Sequence, residues 1–267
     1  MSQRNILITG ASSGIGAEIA RQLVQKGDFP LLVARDEAKL QQLRQDLGCG
    51  AAFTCDVTCT EEVNRLADCI YQRYGGVDVL INNAGYGKFG GSMEVSTTDY
   101  VGMIETNYLG AVRMTRALLP QLLQRNGKII NIASIAGLTG IPNLAAYCAS
   151  KFALIGYSES LQLEFAPRIQ VGVLCPGPVQ TPFFQGEDPA SCFPPLILGR
   201  LLDTETVARH AVRLMERPRI KIIPAGMRWA MHLRHFSPQL YRWVLKRMYD
   251  SFAQKRPVQL KQEERIP

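Results

Sequence analysis

Two rhythms alternate along this chain. Short apolar runs bounded by Gly, Pro, Asn or Asp give way to stretches in which apolar residues recur at helical spacing. The runs predict strands at Asn5–Thr9, Phe29–Ala34, Ala51–Asp56, Val77–Asn82, Lys128–Ala133, Gln170–Cys175 and Ile220–Ile223. The intervening stretches predict helices near Gly14–Gly27, up to about Gly48, over Thr60–Tyr74, about Thr98–Arg125, Ala145–Phe165 and Thr204–Glu216. Apolar strands alternating with helices indicate an α/β fold, a doubly wound parallel sheet of about seven strands with helices on both faces. No linker or internal repeat interrupts the pattern. Residues 1–267 therefore read as a single domain, with a core over 5–223 and a helical extension over 224–267. The period is lost over Phe183–Leu202, where Pro189, Pro194 and Pro195 predict a long loop of the kind used as a lid or binding segment.

Composition narrows the class. With 46% hydrophobic and 20% charged residues in 267, the chain can bury a full core, and disorder is excluded. No run of eighteen apolar residues occurs, so a spanning helix is not expected. The start, MSQRNILITG, enters a strand with no secretory pattern, and a soluble, cytoplasmic protein is expected. Seven cysteines at irregular spacing (Cys49, Cys55, Cys59, Cys69, Cys148, Cys175, Cys192) form no C-x-x-C pair and read as thiols in a reducing compartment. His210, His232 and His235 belong to no ligand motif, so no metal is expected. Charge is uneven. Twelve Lys and Arg stand against three Asp and Glu from Arg217 to Pro267, while the first 216 residues hold 18 against 20. The basic character belongs to the tail.

Candidate chemistry begins at Thr9-Gly10-Ala11-Ser12-Ser13-Gly14-Ile15-Gly16, between the first strand and the first helix. Gly10 permits a tight turn, Gly14 lets backbone approach a pyrophosphate, and Gly16 lets the helix pack near the sheet. The helix's opening N–H groups and positive dipole end suit phosphate. A plain surface turn is the bland alternative. Further on, Tyr147-Cys148-Ala149-Ser150-Lys151 places a phenol and an ammonium on one helical face. A free tyrosine has a pKa of about 10, and a neighbouring positive charge favours its phenolate. Ser134, closing the fifth strand, could hydrogen-bond a substrate oxygen and orient it toward Tyr147.

Taken in order, these motifs resemble the short-chain dehydrogenase/reductase family, whose fold is Rossmann-type. The glycine turn has the spacing G-x-x-x-G-x-G; Asp56-Val57 follows strand three, Asn82-Asn83-Ala84-Gly85 follows strand four, and Pro176-Gly177 follows strand six with Val179 and Thr181 beyond. The resemblance spans about Asn5 to Ile223. It implies that Tyr147 is the general acid/base, Ser134 steadies the substrate oxygen, Lys151 binds the nicotinamide ribose and lowers the tyrosine pKa, and Asn107 holds a helix kink and a water. It further implies a dinucleotide held by Gly10, Ser12, Ser13, Gly14, Ile15, Gly16, Asp56, Val57, Asn83, Ala84, Gly85, Tyr147, Lys151, Pro176, Gly177, Val179 and Thr181. Cofactor choice is made at the end of strand two, where an acidic residue would favour NAD by bonding the ribose 2′-OH. Here Ala34 is followed by Arg35, whose guanidinium can pair a 2′-phosphate, so NADP(H) is expected. An exposed arginine opening a charged helix is the alternative.

The expected function is an NADP(H)-dependent oxidoreductase interconverting a carbonyl and an alcohol. Phe183, Phe184, Phe193, Leu196, Ile197 and Leu198 make the irregular loop apolar, which suits a steroid, retinoid or long-chain lipid substrate or simply packs the loop down. Two other readings stand beside it: a 3-oxoacyl thioester reductase of fatty-acid metabolism, and a dinucleotide-sensing protein without turnover. In the tail, Trp229, Leu233 and Phe236 recur at helical spacing, as do Leu240, Trp243 or Val244, and Met248, and Ser237-Pro238 starts a second helix. Its basic residues (Arg228, Arg234, Arg242, Lys246, Arg247) allow peripheral membrane contact, packing on the body, a roof over the pocket or an oligomer interface. Dimers or tetramers are what the resemblance implies. Nucleic-acid binding is not expected, since no recognised module is present.

Overall fold

Each of the seven apolar runs forms a strand in the computed structural model, which describes residues 3–180, 193, 194, 197, 199 and 201–253. They are β1 (Asn5–Thr9), β2 (Phe29–Ala34), β3 (Ala51–Thr54), β4 (Val79–Asn82), β5 (Lys128–Ile132), β6 (Gln170–Pro176) and β7 (Ile220–Ile223). All pairs are parallel, in the order β3-β2-β1-β4-β5-β6-β7. The chain winds outward from β1 to β3, returns to pair β4 with β1, and winds outward again. Such a reversal leaves a crevice at the carboxyl ends of β1 and β4, where open α/β sheets bind ligands.

Strand residues alternate between faces. Ile6 and Ile8 join one fully buried layer with Leu23, Leu40 and Val207, drawn from α1 (Gly14–Gln25), α2 (Glu37–Leu47) and α7 (Thr204–Leu214). Leu7 joins the other with Ile70, Leu118 and Leu161, from α3 (Thr60–Tyr74), α5 (Gly110–Gln124) and α6 (Ala145–Phe165). Each side chain so buried stabilises the fold by roughly 1.5–3 kcal/mol relative to exposure.

One predicted helix is two. The stretch expected over Thr98–Arg125 is α4 (Thr97–Ile104) and α5, joined by a π-helical turn at Glu105–Leu109. A π-turn admits an extra residue and reorients the side chain at its centre. That side chain is Asn107, 1% exposed. Its Nδ2 donates to the Tyr86 carbonyl and to Ser150 Oγ, each at 2.9 Å, while its Oδ1 accepts from the Tyr86 N–H at 2.9 Å. Other boundaries move by two residues or fewer: β3 ends at Thr54 because Asp56 accepts hydrogen bonds from Thr58 in a turn, and β6 runs on to Pro176 beside Ile223.

Beyond β7, α8 (Met227–Phe236) and α9 (Pro238–Ala253) pack on each other. Tyr241 and Tyr249 are buried, and the Arg234 guanidinium lies 5.9 Å from the Phe152 ring centroid on α6. The opposite side carries Trp229, Phe236 and Trp243, all exposed.

Candidate active site

A cavity of about 1000 Å³ opens along the carboxyl ends of the central strands, at the upper end of the range for small-molecule sites. One end is built by the glycine turn. Ser12, Ser13, Gly14 and Ile15 line it, and no side chain caps α1 at Ser13, nor is any acidic residue in its first turn. The opening N–H groups of that helix are thus available for an anion, and their dipole favours one. Gly16 does not line the cavity. A Cβ there would stand 2.3 Å from the Gly10 carbonyl oxygen and 2.7 Å from Asn83 Nδ2, so Gly16 is required for packing. Asn83 in turn donates to the carbonyls of Thr9 and Gly10 at 3.0 and 3.2 Å, and the Thr9 hydroxyl accepts from the N–H groups of Asn83 and Ala84. The turn after β1 and the turn after β4 hold each other in place.

Arg35, Asp36 and Lys39 stand together at the edge of the cavity beside β2. Asp36 caps α2 by accepting the Lys39 N–H at 3.0 Å and pairs with Lys39 Nζ at 2.8 Å. These bonds from Lys39 hold its carboxyl below the usual range. Arg35 is 77% exposed and only 3.9 Å from Asp56, a distance at which the pair contributes little. Its guanidinium therefore remains available. Asp56, Val57, Ala84 and Gly85 complete that side of the wall.

At the other end, Ser134 and Tyr147 stand in the same wall, near enough for the serine hydroxyl to oppose the effect of burial on the phenol. Ser134 Oγ accepts from the Ala136 N–H at 3.1 Å, which closes the short 3₁₀ turn Ile135–Gly137 after β5. Lys151 is one turn along α6 from Tyr147, with its Nζ donating to the Ile132 carbonyl at 2.9 Å and lying 5.8 Å from the Tyr147 ring centroid. A Cβ on Gly85 would stand 2.9 Å from Asn107 Oδ1 and 3.6 Å from Lys151 Nζ, so only glycine lets the chain after β4 pass between them.

Without a dinucleotide, burial dominates the electrostatics of Tyr147 and Lys151. Burial pushes the Tyr147 phenol well above 10, opposed by the Ser134 hydroxyl, and Lys151 is not among the groups that lower it. Burial also brings Lys151 down to about 8. Desolvation disfavours the charged form of both groups. In the protein alone, the phenol keeps its proton.

The apolar residues beside this pair form a cluster in which Met103, Leu144, Tyr147 and Phe193 are buried and Tyr86 and Ile141 are packed against it. Phe89 and Phe193 meet edge to face at 5.8 Å.

A sequence profile described as short chain dehydrogenase matches residues 4–191. The chain belongs to the short-chain dehydrogenase family. Among curated relatives, the 3-ketodihydrosphingosine reductase of Bacteroides thetaiotaomicron is 42% identical over 186 residues, covering 68% of this chain and 66% of that protein. The chain thus matches slightly under two-thirds of that relative's length. Two solved structures share the fold. An alcohol dehydrogenase from the archaeon Thermococcus sibiricus, complexed with 5-hydroxy-NADP, superposes with a TM-score of 0.73 at 29% identity, over 83% of this chain and 95% of its own. A short chain dehydrogenase/reductase from Burkholderia phymatum, in complex with NAD, gives 0.78 at 27% identity, over 90% and 95%.

In this short-chain dehydrogenase, the cavity gathers Gly10, Ser12, Ser13, Gly14, Ile15, Arg35, Asp56, Val57, Asn83, Ala84, Gly85, Ser134, Tyr147, Lys151, Pro176, Gly177 and Val179. Asn107 lies behind the wall, and Thr181, like Phe183, Phe184, Leu196 and Leu198 of the irregular loop, lies outside the described residues. Lys39, Ile141 and Leu144 line the cavity without having been singled out from sequence. For Lys39 a signal existed, since a lysine three residues after a helix-capping aspartate returns to the strand end that Arg35 occupies. For Ile141 and Leu144 none did, because they sit in a turn region without period.

Proposed function

We propose that this short-chain dehydrogenase interconverts a carbonyl and an alcohol on a lipophilic substrate with NADP(H), and that Tyr147 is its general acid/base. The observation that carries this reading is the gathering of Ser134, Tyr147 and Lys151 in one wall of a cavity that runs from there to the uncapped start of α1. The first turn of α1 fits a dinucleotide's phosphates, and Arg35 and Lys39 fit a further phosphate at the end of β2. When bound, NADPH supplies the hydride for the carbonyl carbon.

The chain's own residues supply the proton and the placement. Ser134 Oγ offers a hydrogen bond that sets the substrate oxygen beside the phenol. Tyr147, protonated because burial favours its neutral form, gives its proton to that oxygen in the reductive direction. Lys151, with a pKa near 8, stands in reach of exchanging a proton near neutral pH. Ile141, Leu144 and Phe193 line the cavity beside Tyr147, which supports an apolar substituent on the reacting carbon. The name of the Bacteroides relative, a ketone reductase acting on a sphingoid base, is consistent with that choice.

Tyr147→Phe removes the proton while keeping the ring. Turnover of a ketone panel followed by NADPH absorbance should fall ~10²-fold or more, with dinucleotide binding retained. Unchanged turnover in this variant would sink the assignment. Preference for 3-oxoacyl thioesters over free lipophilic ketones in the same panel would replace the substrate class but keep the chemistry.

A further inference from the structure

The second cluster of unexplained surface lies far along the chain from the glycine turn, on α8 and α9. α9 has a covered side and an open one, while α8 buries no side chain fully and only Met227, Ala230 and Met231 are half-buried. Tyr241 and Tyr249 are buried at 9% and 6%, while Trp229, Phe236 and Trp243 stand 77%, 81% and 55% exposed, with Leu240 and Val244 beside them. Exposed aromatic side chains at this density are costly to leave in water and mark a contact surface. Across Met227–Ala253 the charged residues are Arg228, Arg234, Arg242, Lys246 and Arg247, all exposed, against Asp250 alone. The Arg247 guanidinium rests over the Trp243 ring, its central carbon 4.9 Å from the centroid. Among the described residues no helix is long and apolar enough to cross a membrane.

We propose that the open face of α8 and α9 docks on an anionic phospholipid surface. Charge decides between occupants. A second copy would bring the same excess of positive charge, and like charges repel. An anionic bilayer offers the complementary charge to the arginines and an apolar interior for the indoles and Phe236, the combination that interfacial helices use. The helices need not span. They need only lie in the headgroup region with their aromatic side chains pointing inward.

The two tryptophans of the chain, Trp229 and Trp243, both lie on these helices, so intrinsic fluorescence reports on this surface without a label. Full-length protein is titrated with vesicles of phosphatidylcholine mixed with phosphatidylglycerol, and with pure phosphatidylcholine. Expected are a blue shift of emission and co-sedimentation with the mixed vesicles, both weaker with the neutral ones and reversed by high salt. Arg228→Gln combined with Arg242→Gln should lower vesicle affinity roughly 10-fold or more. Trp229→Ser with Phe236→Ser should abolish pelleting while the circular dichroism spectrum stays unchanged. Unchanged emission and no pelleting with mixed vesicles at low salt would overturn the proposal. So would a blue shift on concentrating the protein without lipid, accompanied by a doubled mass in light scattering, which would name a second copy as the occupant. Ketone reduction without vesicles is scored separately, so failure here leaves the assignment of Tyr147 standing, and failure there leaves this one.

Discussion

Arg35 and Lys39 share one edge of the cavity, yet they differ in how freely they can meet a ligand. Lys39 is tied to Asp36 at 2.8 Å, whereas Arg35 has only the long 3.9 Å approach to Asp56. If the pair reads a 2′-phosphate, Arg35→Ala should weaken NADPH binding at least 10-fold more than NADH binding, a loss typical of one charge-assisted contact. Fluorescence titration with both dinucleotides measures it, and equal losses would remove Arg35 from that role. Lys151 makes a separate prediction at the same scale. Its pKa falls from 10.5 in the unfolded chain to about 8 in the fold through burial. Between those values the unfolded chain holds a proton that the folded one has released, so stability rises with pH across that window and the cost is fully present below about 8. Lys151→Met should therefore be more stable than the parent at pH 7, by an amount on the order of 3 kcal/mol at most, with the gap closing toward pH 10. Urea midpoints at the two pH values test this; a gap that does not change with pH would show that the ammonium is not the source. Arg35, Ser134 and Tyr147 were legible as residue types at motif positions. The upward shift of the Tyr147 phenol was not, because desolvation depends on everything packed around a group and leaves no mark in its neighbours along the chain.

The helix that follows β4 shows the same limit for elements. Its existence was plain from periodicity, and its break was not. Buried Met103, Asn107, Gly110, Ala111 and Met114 keep steps of three and four straight through the π-turn, so the extra residue produces no phase slip that a pattern could reveal. The break is held by the Asn107 amide, which satisfies both backbone groups of Tyr86. Asn107→Ala leaves both backbone groups of Tyr86 without their partner in a part-buried site, while Ser150 Oγ keeps its bond to the Tyr147 carbonyl, and each unsatisfied polar group costs ~1–3 kcal/mol. We expect the urea midpoint to fall by an amount equivalent to roughly 2–4 kcal/mol. Because Gly85 lies between Asn107 and Lys151, turnover should fall in the protein that remains folded, without a matching loss of dinucleotide affinity. Full activity in a destabilised variant would restrict Asn107 to a structural role. Gly16 was read from its spacing as the glycine that lets the helix pack near the sheet and, through the resemblance, as a dinucleotide contact; it packs against the Gly10 carbonyl and Asn83 and stays out of the cavity wall.

For the whole molecule, alternation of strand and helix was enough to foresee the doubly wound sheet, and the reversal at β1 and β4 explains why motifs from six strand ends meet in one cavity. What the pattern could not place was the segment after β7, where one amphipathic helix pair fits several partners equally well. The structure commits one side of it to the body. Cys148 is among the groups that raise the buried Tyr249 phenol, and Cys148, next to Tyr147, is only 5% exposed. Removing residues 225–267 therefore takes a cover from the back of the site as well as the exposed face from the surface. The shortened chain should lose roughly 3–6 kcal/mol of stability, the worth of two large buried side chains, and its Cys148 should become open to a thiol reagent. Burial now pushes that thiol up in pKa, so exposure should raise its labelling rate twice over, through access and through a larger thiolate fraction. Labelling that disappears in a Cys148→Ser background identifies the site. Tyr249→Ala in the full chain makes the same point without risking the fold: faster labelling of Cys148 with α8 and α9 still helical by circular dichroism is expected. Protection equal to the parent in both proteins would mean that the helices only rest beside the site, and that their covered side contributes nothing to it.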